Sequence, residues 1–173
     1  MTDDTTLPDY RPCVGIMIIN PQGLIWMGRR TDAPKDPEGR GAWWQMPQGG
    51  IDPGEESETA AFRELHEETA IPASSVRLLG RTEGWLTYEL PSAIQGRAWK
   101  GRYRGQKQVW FAMRFNGSDQ EINLDPPPGQ SHKREFDEWA WVPLPEISER
   151  VVSFKREVYI AVAEQLGSFA KPA

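Results

Sequence analysis

The sequence predicts an α/β (α+β) domain, an α/β/α sandwich with a mixed central sheet. Three observations point there. Short runs rich in β-branched and aromatic residues recur along the chain, and QKQVWFAMRFNG is the clearest buried strand among them. Two stretches carry a helical period instead: Ser57 to Thr69, and EISERVVSFKREVYIAVAEQL near the C-terminus. Strands and helices do not alternate regularly, which argues for a mixed sheet over an all-parallel one.

The elements follow in order. CVGIMIIN ends at the turn Asn20-Pro21-Gln22-Gly23 and LIWMGRR resumes, the pattern of a β-hairpin. TDAPKDPEGRGA is a polar, Pro- and Gly-rich loop, and WWQMPQGGID reads as a short strand leading into a turn. The first helix has Ser57 as a candidate N-cap and Glu58 in its first turn, where the helix dipole favours an acid; Pro72 stops it. VRLLGRTEGWLTYEL is strand with a break near Gly84, and PSAIQGRAWKGRYRG is a basic loop. DPPPGQSHKR is also a loop, because consecutive prolines cannot continue a ladder; EWAWVPL is the last strand. In the C-terminal amphipathic helix Val152, Val158, Ile160 and Ala161 are candidates for the apolar face, and the tail GSFAKPA is expected to fray. Trp43, Trp44, Trp110, Trp139 and Trp141 lie in strand-like runs and are assigned to the core.

A chain of 173 residues is one domain, with residues 9–166 expected to form its ordered part. A net charge of -5 and a pI of 5.2 exclude a general basic field for nucleic acid, so a polyanion must be held locally or through cations. The one cysteine, Cys13, excludes an intrachain disulfide and a multi-cysteine zinc site, and fits a reducing cytosol. No apolar run approaches the roughly 18–20 residues that span a bilayer, and MTDDTTLPDYRP lacks the basic and apolar regions of a signal peptide. A cytoplasmic protein without a membrane partner is therefore expected.

The stretch GGIDPGEESETAAFRELHEETAI concentrates Asp52, Glu55, Glu56, Glu58, Glu64, Glu67 and Glu68. At about 100° per residue, Glu67 and Glu68 lie roughly 60° to one side and 40° to the other of Glu64, so the three share one helical edge. Ala61, Phe62 and Leu65 fall on the neighbouring arc and can face a core. Two such charges about 4 Å apart repel by roughly 4 kcal/mol at an effective dielectric near 20. A cluster of this kind either binds a proton, with a raised pKa, or binds a hard cation; oxygen ligands favour Mg²⁺ or Mn²⁺ over zinc. The ordinary alternative is a solvated acidic face paired with Arg63 and other cations. Against it stands the turn PQGGIDPGEE, which can bring backbone N–H groups and Glu55 to the helix flank, where Arg63 can clamp a carboxylate bidentately.

Gly49, Glu55, Arg63, Glu64, Leu65, Glu67, Glu68 and Ile71 resemble the Nudix box, with Ala70 standing where that family has Gly. Gly there would supply a left-handed residue at the helix exit, and Ala in that conformation costs on the order of 1 kcal/mol. The resemblance implies hydrolysis of a nucleoside diphosphate linked to another group, with Mg²⁺ as cofactor and Mn²⁺ or another divalent cation able to replace it. It makes Glu67 and Glu68 metal ligands, Glu64 a metal ligand or general base, and Glu55 a secondary ligand or structural anchor. Gly49 is counted with the metal-binding set, and Arg63 with the catalytic set as the residue that orients the glutamates. The acidic edge is expected to form a cage for divalent ions.

Beyond the box, YRPCVGIMI, WQMPQGGIDPGE, GWLTYELP, GQKQVWF, EINLD, EFDEWAWV and VVSFKREVY resemble the bacterial RNA pyrophosphohydrolase and dinucleoside polyphosphate hydrolase subfamily. The implied substrate is 5′-triphosphorylated RNA, which would lose pyrophosphate; the alternatives are a dinucleoside polyphosphate, or a sensing module that kept the fold without the chemistry. Glu135 matches a subfamily glutamate that joins the metals or acts as base, though alone it reads as an exposed loop acid. Arg30 and Lys107 are candidate phosphate contacts. Phe154 matches a base-stacking residue, although periodicity alone puts it in the core, and Tyr88 is a base or ribose contact. Arg97, Lys100, Arg102 and Arg104, interleaved with Trp99 and Tyr103, could guide RNA or form a solvated loop. TDAPKDPEGRGA lengthens the loop before the box and could change access to the site. His66 falls on the far side of the helix and His132 reads as an exposed loop histidine. Neither Ser57 nor Cys13 has a partner suggesting covalent catalysis.

Overall fold

The computed structural model describes residues 7–31, 43–95, 98–130 and 133–173, Trp99 by its backbone alone. Among them, eight strands form one mixed sheet: β1 (Tyr10–Ile19), β2 (Ile25–Arg30), β3 (Trp44–Gln45), β4 (Gln48–Gly50), β5 (Val76–Arg81), β6 (Leu86–Glu89), β7 (Gly105–Phe115) and β8 (Phe136–Val142). The helices are α1 (Ser57–Thr69), α2 (Ser92–Gln95), α3 (Ile147–Arg150) and α4 (Arg156–Leu166). The order along the sheet is β3-β2-β1-β7-β5, with β4 on β1, β6 on β7 and β8 on β2.

The spine is the parallel pair β1–β7, in register from Tyr10↔Gly105 to Ile19↔Arg114. Every residue of β7 is buried, as a strand covered on both faces requires. The two-residue period splits the side chains between two cores. Val14, Ile16, Ile18, Phe111 and Met113 pack under α1 with Ala60, Ala61 and Leu65. Met17, Ile19, Trp110 and Ala112 pack under α4 with Val158, Tyr159, Val162 and Leu166. The α/β/α expectation therefore holds.

The expected β1–β2 hairpin forms around Asn20, whose Oδ1 accepts from the N–H of Gln22 at 3.0 Å and of Leu24 at 2.8 Å. Its ladder is short, pairing Ile19 with Ile25, because β4 takes the β1 edge from Cys13 to Gly15 and β2 turns to β8. The break at Gly84, with φ +63°, separates β5 from β6. The segment read as a basic loop folds into α2 and a 3₁₀ turn at Ala98–Gly101.

Five further expectations change. Ser57 is the first helical residue, and the N-cap is Glu56, whose side chain makes no capping bond. The long C-terminal helix is interrupted: Val151 and Val152 are extended, with ψ 156° and 145°, and bury their side chains in the core, so α4 starts only at Arg156 after a 3₁₀ turn. Ile160 is exposed, Ala161 is half-buried, and Tyr159, Val162 and Leu166 take the apolar face. The tail does not fray. Buried Arg114 donates to the carbonyls of Asn20 at 2.7 Å and Lys171 at 2.9 Å, and Ala173 N–H donates to Pro21 O at 2.9 Å. Trp43 and Trp110 are core residues, whereas Trp44, Trp139 and Trp141 are half-buried. Among the described residues no helix is long and apolar enough to cross a membrane.

Candidate active site

The turn from β4 into α1 brings backbone and helix flank together. A side chain on Gly49 would collide with the Glu64 carboxylate, and one on Gly50 with the Arg11 guanidinium. Glycine at both positions thus leaves the Glu64 carboxylate and the Arg11 guanidinium where they stand, with no demand on φ. Arg63 locks the turn. Its Nε donates to Glu55 Oε2 at 2.9 Å and its Nη2 to Glu55 Oε1 at 2.8 Å, a bidentate pair, while Nη2 also reaches Gly50 O at 2.9 Å. Nη1 donates to Glu64 Oε1 at 2.8 Å and to Glu67 Oε2 at 3.4 Å. Glu55 Oε1 also accepts from Asp52 N–H at 3.0 Å. With both oxygens engaged, Glu55 is an anchor of the turn, and the Arg63 hydrogen bonds hold its pKa below the ordinary carboxylate value. At the helix exit Ala70 takes φ 65°, ψ 3°, the left-handed conformation the missing glycine would favour, and donates to His66 O at 2.9 Å. His66 is exposed.

The other carboxylates have the opposite electrostatics. Burial pushes Glu64 up to about 7 despite Arg63, and the neighbouring Glu67 and Glu135 add to the shift. Glu68 is 9% exposed; burial, then Glu135 and Glu64, raise it well above the usual range. Gln48 N–H donates to its Oε2 at 3.3 Å. Glu64, Glu68 and Glu135 border one cavity of about 500 Å³. Among the described residues no three acidic, histidine or cysteine side chains already converge as a metal site, and Arg63 draws Glu64 and Glu67 aside. The expected cage is thus not preformed. The donors still fit a hard divalent cation: all are carboxylate oxygens, and two of them are buried at the expense of their charge, which a cation would restore.

The rest of the cavity lining is of two kinds. Arg11, Arg30 and Lys155 also line the cavity, Arg30 acting electrostatically on Glu68, and Glu135 and Glu68 on Lys155. Trp43, Tyr88, Leu90, Ile94 and Phe154 contribute its apolar and aromatic lining. Phe154 lies 5.7 Å from Tyr88 between ring centroids and meets Trp43 edge-on at 6.0 Å. Both Phe154 and Lys155 come from the 3₁₀ turn at the interruption before α4. Lys155 is 3% exposed, donates to Gln45 Oε1 at 3.1 Å and sits 5.6 Å from the Tyr88 ring centroid. Burial, followed by the Arg30 charge, pushes it down to about 7.

Of the residues singled out in the sequence, Glu64, Glu68, Glu135, Gly49, Arg30, Tyr88 and Phe154 come together at this cavity. Lys107 does not. It is 1% exposed and packs on Trp85, 4.8 Å from the ring centroid. β7 directs alternate residues to opposite faces, so Gln106 borders the cavity and Lys107 turns away, which corrects its assignment as a phosphate contact. Glu67 lies on the other flank of α1. Lys100, Arg102 and Arg104 are exposed; Arg104 pairs with Glu89 at 2.7 Å. Arg97, His132 and positions 32–42 of the Pro-rich insert lie outside the described residues. Sequence reasoning missed Arg11 and Lys155. Nothing local marks Arg11, but a lysine inside the apolar run VVSFK was a signal.

A NUDIX domain model matches residues 9–162. This chain belongs to the Nudix family. It is 49% identical over 170 residues to an RNA pyrophosphohydrolase of Bradyrhizobium sp. (strain ORS 278), covering 98% of this chain and 99% of that one. It is 51% identical to an RNA pyrophosphohydrolase of Mesorhizobium japonicum, covering 98% and 96%. Among solved structures, a C. elegans Ap4A hydrolase binary complex superposes with a TM-score of 0.63 at 19% identity over 92% of this chain and 99% of that one. The E. coli dihydroneopterin triphosphate pyrophosphohydrolase gives 0.62 at 20%, over 91% and 96%. These two likenesses establish the Nudix fold. Nudix hydrolases generally act with divalent metal ions, in keeping with the oxygen donors at this site.

Proposed function

We propose that this Nudix hydrolase removes pyrophosphate from the 5′-triphosphate end of RNA with Mg²⁺, in the cytoplasm. The observation that carries the reading is a cavity lined by carboxylates, cations and a cluster of aromatic rings, in a chain about half identical to named RNA pyrophosphohydrolases over nearly its whole length. Glu64, Glu68 and Glu135 would hold the cation, with Glu67 on the flank. A divalent cation there supplies charge against the phosphate oxygens and acidifies a nucleophilic water. Arg63 holds Glu64 in place through Nη1 while anchoring the turn through Glu55. Glu64 or Glu135 accepts the proton of the attacking water. Arg11, Arg30 and Lys155 face the polyphosphate, whose negative charge favours the protonated form of Lys155. Phe154, backed by Tyr88 and Trp43, offers a stacking platform for a base, a contact that contributes about 1–3 kcal/mol and tolerates any base.

The test is a side-by-side measurement of turnover with Mg²⁺ on a 5′-triphosphorylated oligoribonucleotide and on diadenosine tetraphosphate, with products identified. Faster release of pyrophosphate from the RNA is expected. Faster cleavage of the dinucleotide would replace the reading with its alternative, and no turnover of either would leave a sensing module.

A further inference from the structure

The carboxylate row has two sides. Glu64, Glu68 and Glu135 border the cavity described above and also a second one of about 260 Å³, where Glu67 joins them. This second cavity is also lined by Leu124, Pro126, Lys133 and Arg134, with no aromatic side chain. Helical pitch sets Glu67 and Glu68 about 100° apart, in keeping with Glu67 lining only the second cavity, and the glutamates shared by both form a ridge between two hollows. Among the described residues neither Lys133 nor Arg134 forms an ion pair with any of the four glutamates; the ion pair of Arg134 is with exposed Asp125, at 3.6 Å. Cations serving only to neutralise the ridge would be in contact with it.

We propose that this second hollow is a pyrophosphate site, which receives the leaving group as its divalent-cation complex and holds it through Lys133 and Arg134. The inference rests on the proposed RNA-end reaction. In-line displacement puts the attacking and leaving oxygens on opposite sides of the phosphorus. With the first base stacked on Phe154 in the larger cavity, the terminal phosphates extend across the ridge. A new bond forms from the water oxygen to the phosphorus that stays with RNA, and the bond from that phosphorus to the bridging oxygen breaks. The electron pair leaves on pyrophosphate, and the water proton goes to a carboxylate. Lys133 and Arg134 supply charge-assisted donors where that negative charge accumulates, and the four glutamates exclude pyrophosphate that arrives without a cation.

The test compares the protein with the double variant Lys133→Ala/Arg134→Ala. Both side chains are exposed, so the fold should survive, as circular dichroism will check. Loss of the charged contacts should raise the inhibition constant of magnesium pyrophosphate, and the calorimetric Kd of magnesium imidodiphosphate, by about tenfold or more. Inhibition by an RNA 5′-monophosphate should be unchanged. In the unaltered protein the two products should bind together, because they occupy different hollows. Unchanged pyrophosphate affinity in the variant, or mutually exclusive binding of the products, overturns the inference. The binding measurements do not depend on turnover: failure to process triphosphorylated RNA would remove the parent reading, while imidodiphosphate binding still decides whether the hollow takes pyrophosphate.

Discussion

The two sides of the β4–α1 unit use the same residue type under opposite electrostatics. On the turn side Glu55 is held by two Arg63 nitrogens and a backbone N–H, and its pKa falls. On the cavity side Glu68 is buried beside Glu64 and Glu135 with one long backbone hydrogen bond, and its pKa rises. A satisfied carboxylate stabilises a turn. An unsatisfied one destabilises the metal-free fold and keeps affinity for a cation. The anchor and the reactive site are thus neighbours that share Arg63.

Substitutions on the two sides should separate these roles. Glu68→Gln should lower kcat on the order of 10³-fold, since it removes a group that orders charge around the reacting phosphate, while the melting temperature of the metal-free protein holds or rises. A parallel fall in melting temperature would mean that Glu68 is structural. Arg63→Ala should instead show first in stability, costing about 3 kcal/mol in urea denaturation because it strands the half-buried Glu55 and frees the turn. An effect below about 1 kcal/mol would rank it with ordinary surface pairs.

Stability against pH sharpens the contrast. In the metal-free protein Glu64 and Glu68 are raised above the ordinary 4.5, so between that value and about 7 the folded state binds more protons than the unfolded one and stability falls as pH rises. Glu55, lowered, contributes stability that is present above its unfolded pKa and lost as pH falls through its folded pKa. Saturating Mg²⁺ should flatten the loss between pH 5 and 7, because a cation favours the ionised glutamates. Denaturation curves with Mg²⁺ and with chelator that stay parallel across this range would contradict the assignment of both residues. The smallest effect is at the helix exit: Ala70→Gly should stabilise by about 0.5–1 kcal/mol, by relieving the left-handed strain against a gain in chain entropy. Destabilisation there would mean that the Ala70 methyl has a packing role.

Much of this contrast was legible in the sequence, because α1 is short, strongly patterned and locally determined. Its bounds and the outward face of His66 follow from periodicity and from Pro72. The cavity's other walls were less legible because they depend on distant pairings. Arg11 reaches the site through the β1–β7 register, and Lys107 leaves it by the same alternation. The C-terminal helix misled for a different reason. Val151 and Val152 fit a helical period as well as an extended kink, and only their burial in the core selects the kink that presents Phe154 and Lys155. The tail looked free because its partners, Asn20, Pro21 and Arg114, are far away in sequence.

The central claim is that the buried cavity-side glutamates, and not the anchored one, hold the divalent ion. Electron paramagnetic resonance of Mn²⁺ binding at pH 7.5 tests it most directly, on the unaltered protein, Glu68→Gln and Glu55→Gln. The account predicts at least tenfold weaker binding in Glu68→Gln and a smaller change in Glu55→Gln. Equal affinity in the unaltered protein and Glu68→Gln would contradict it.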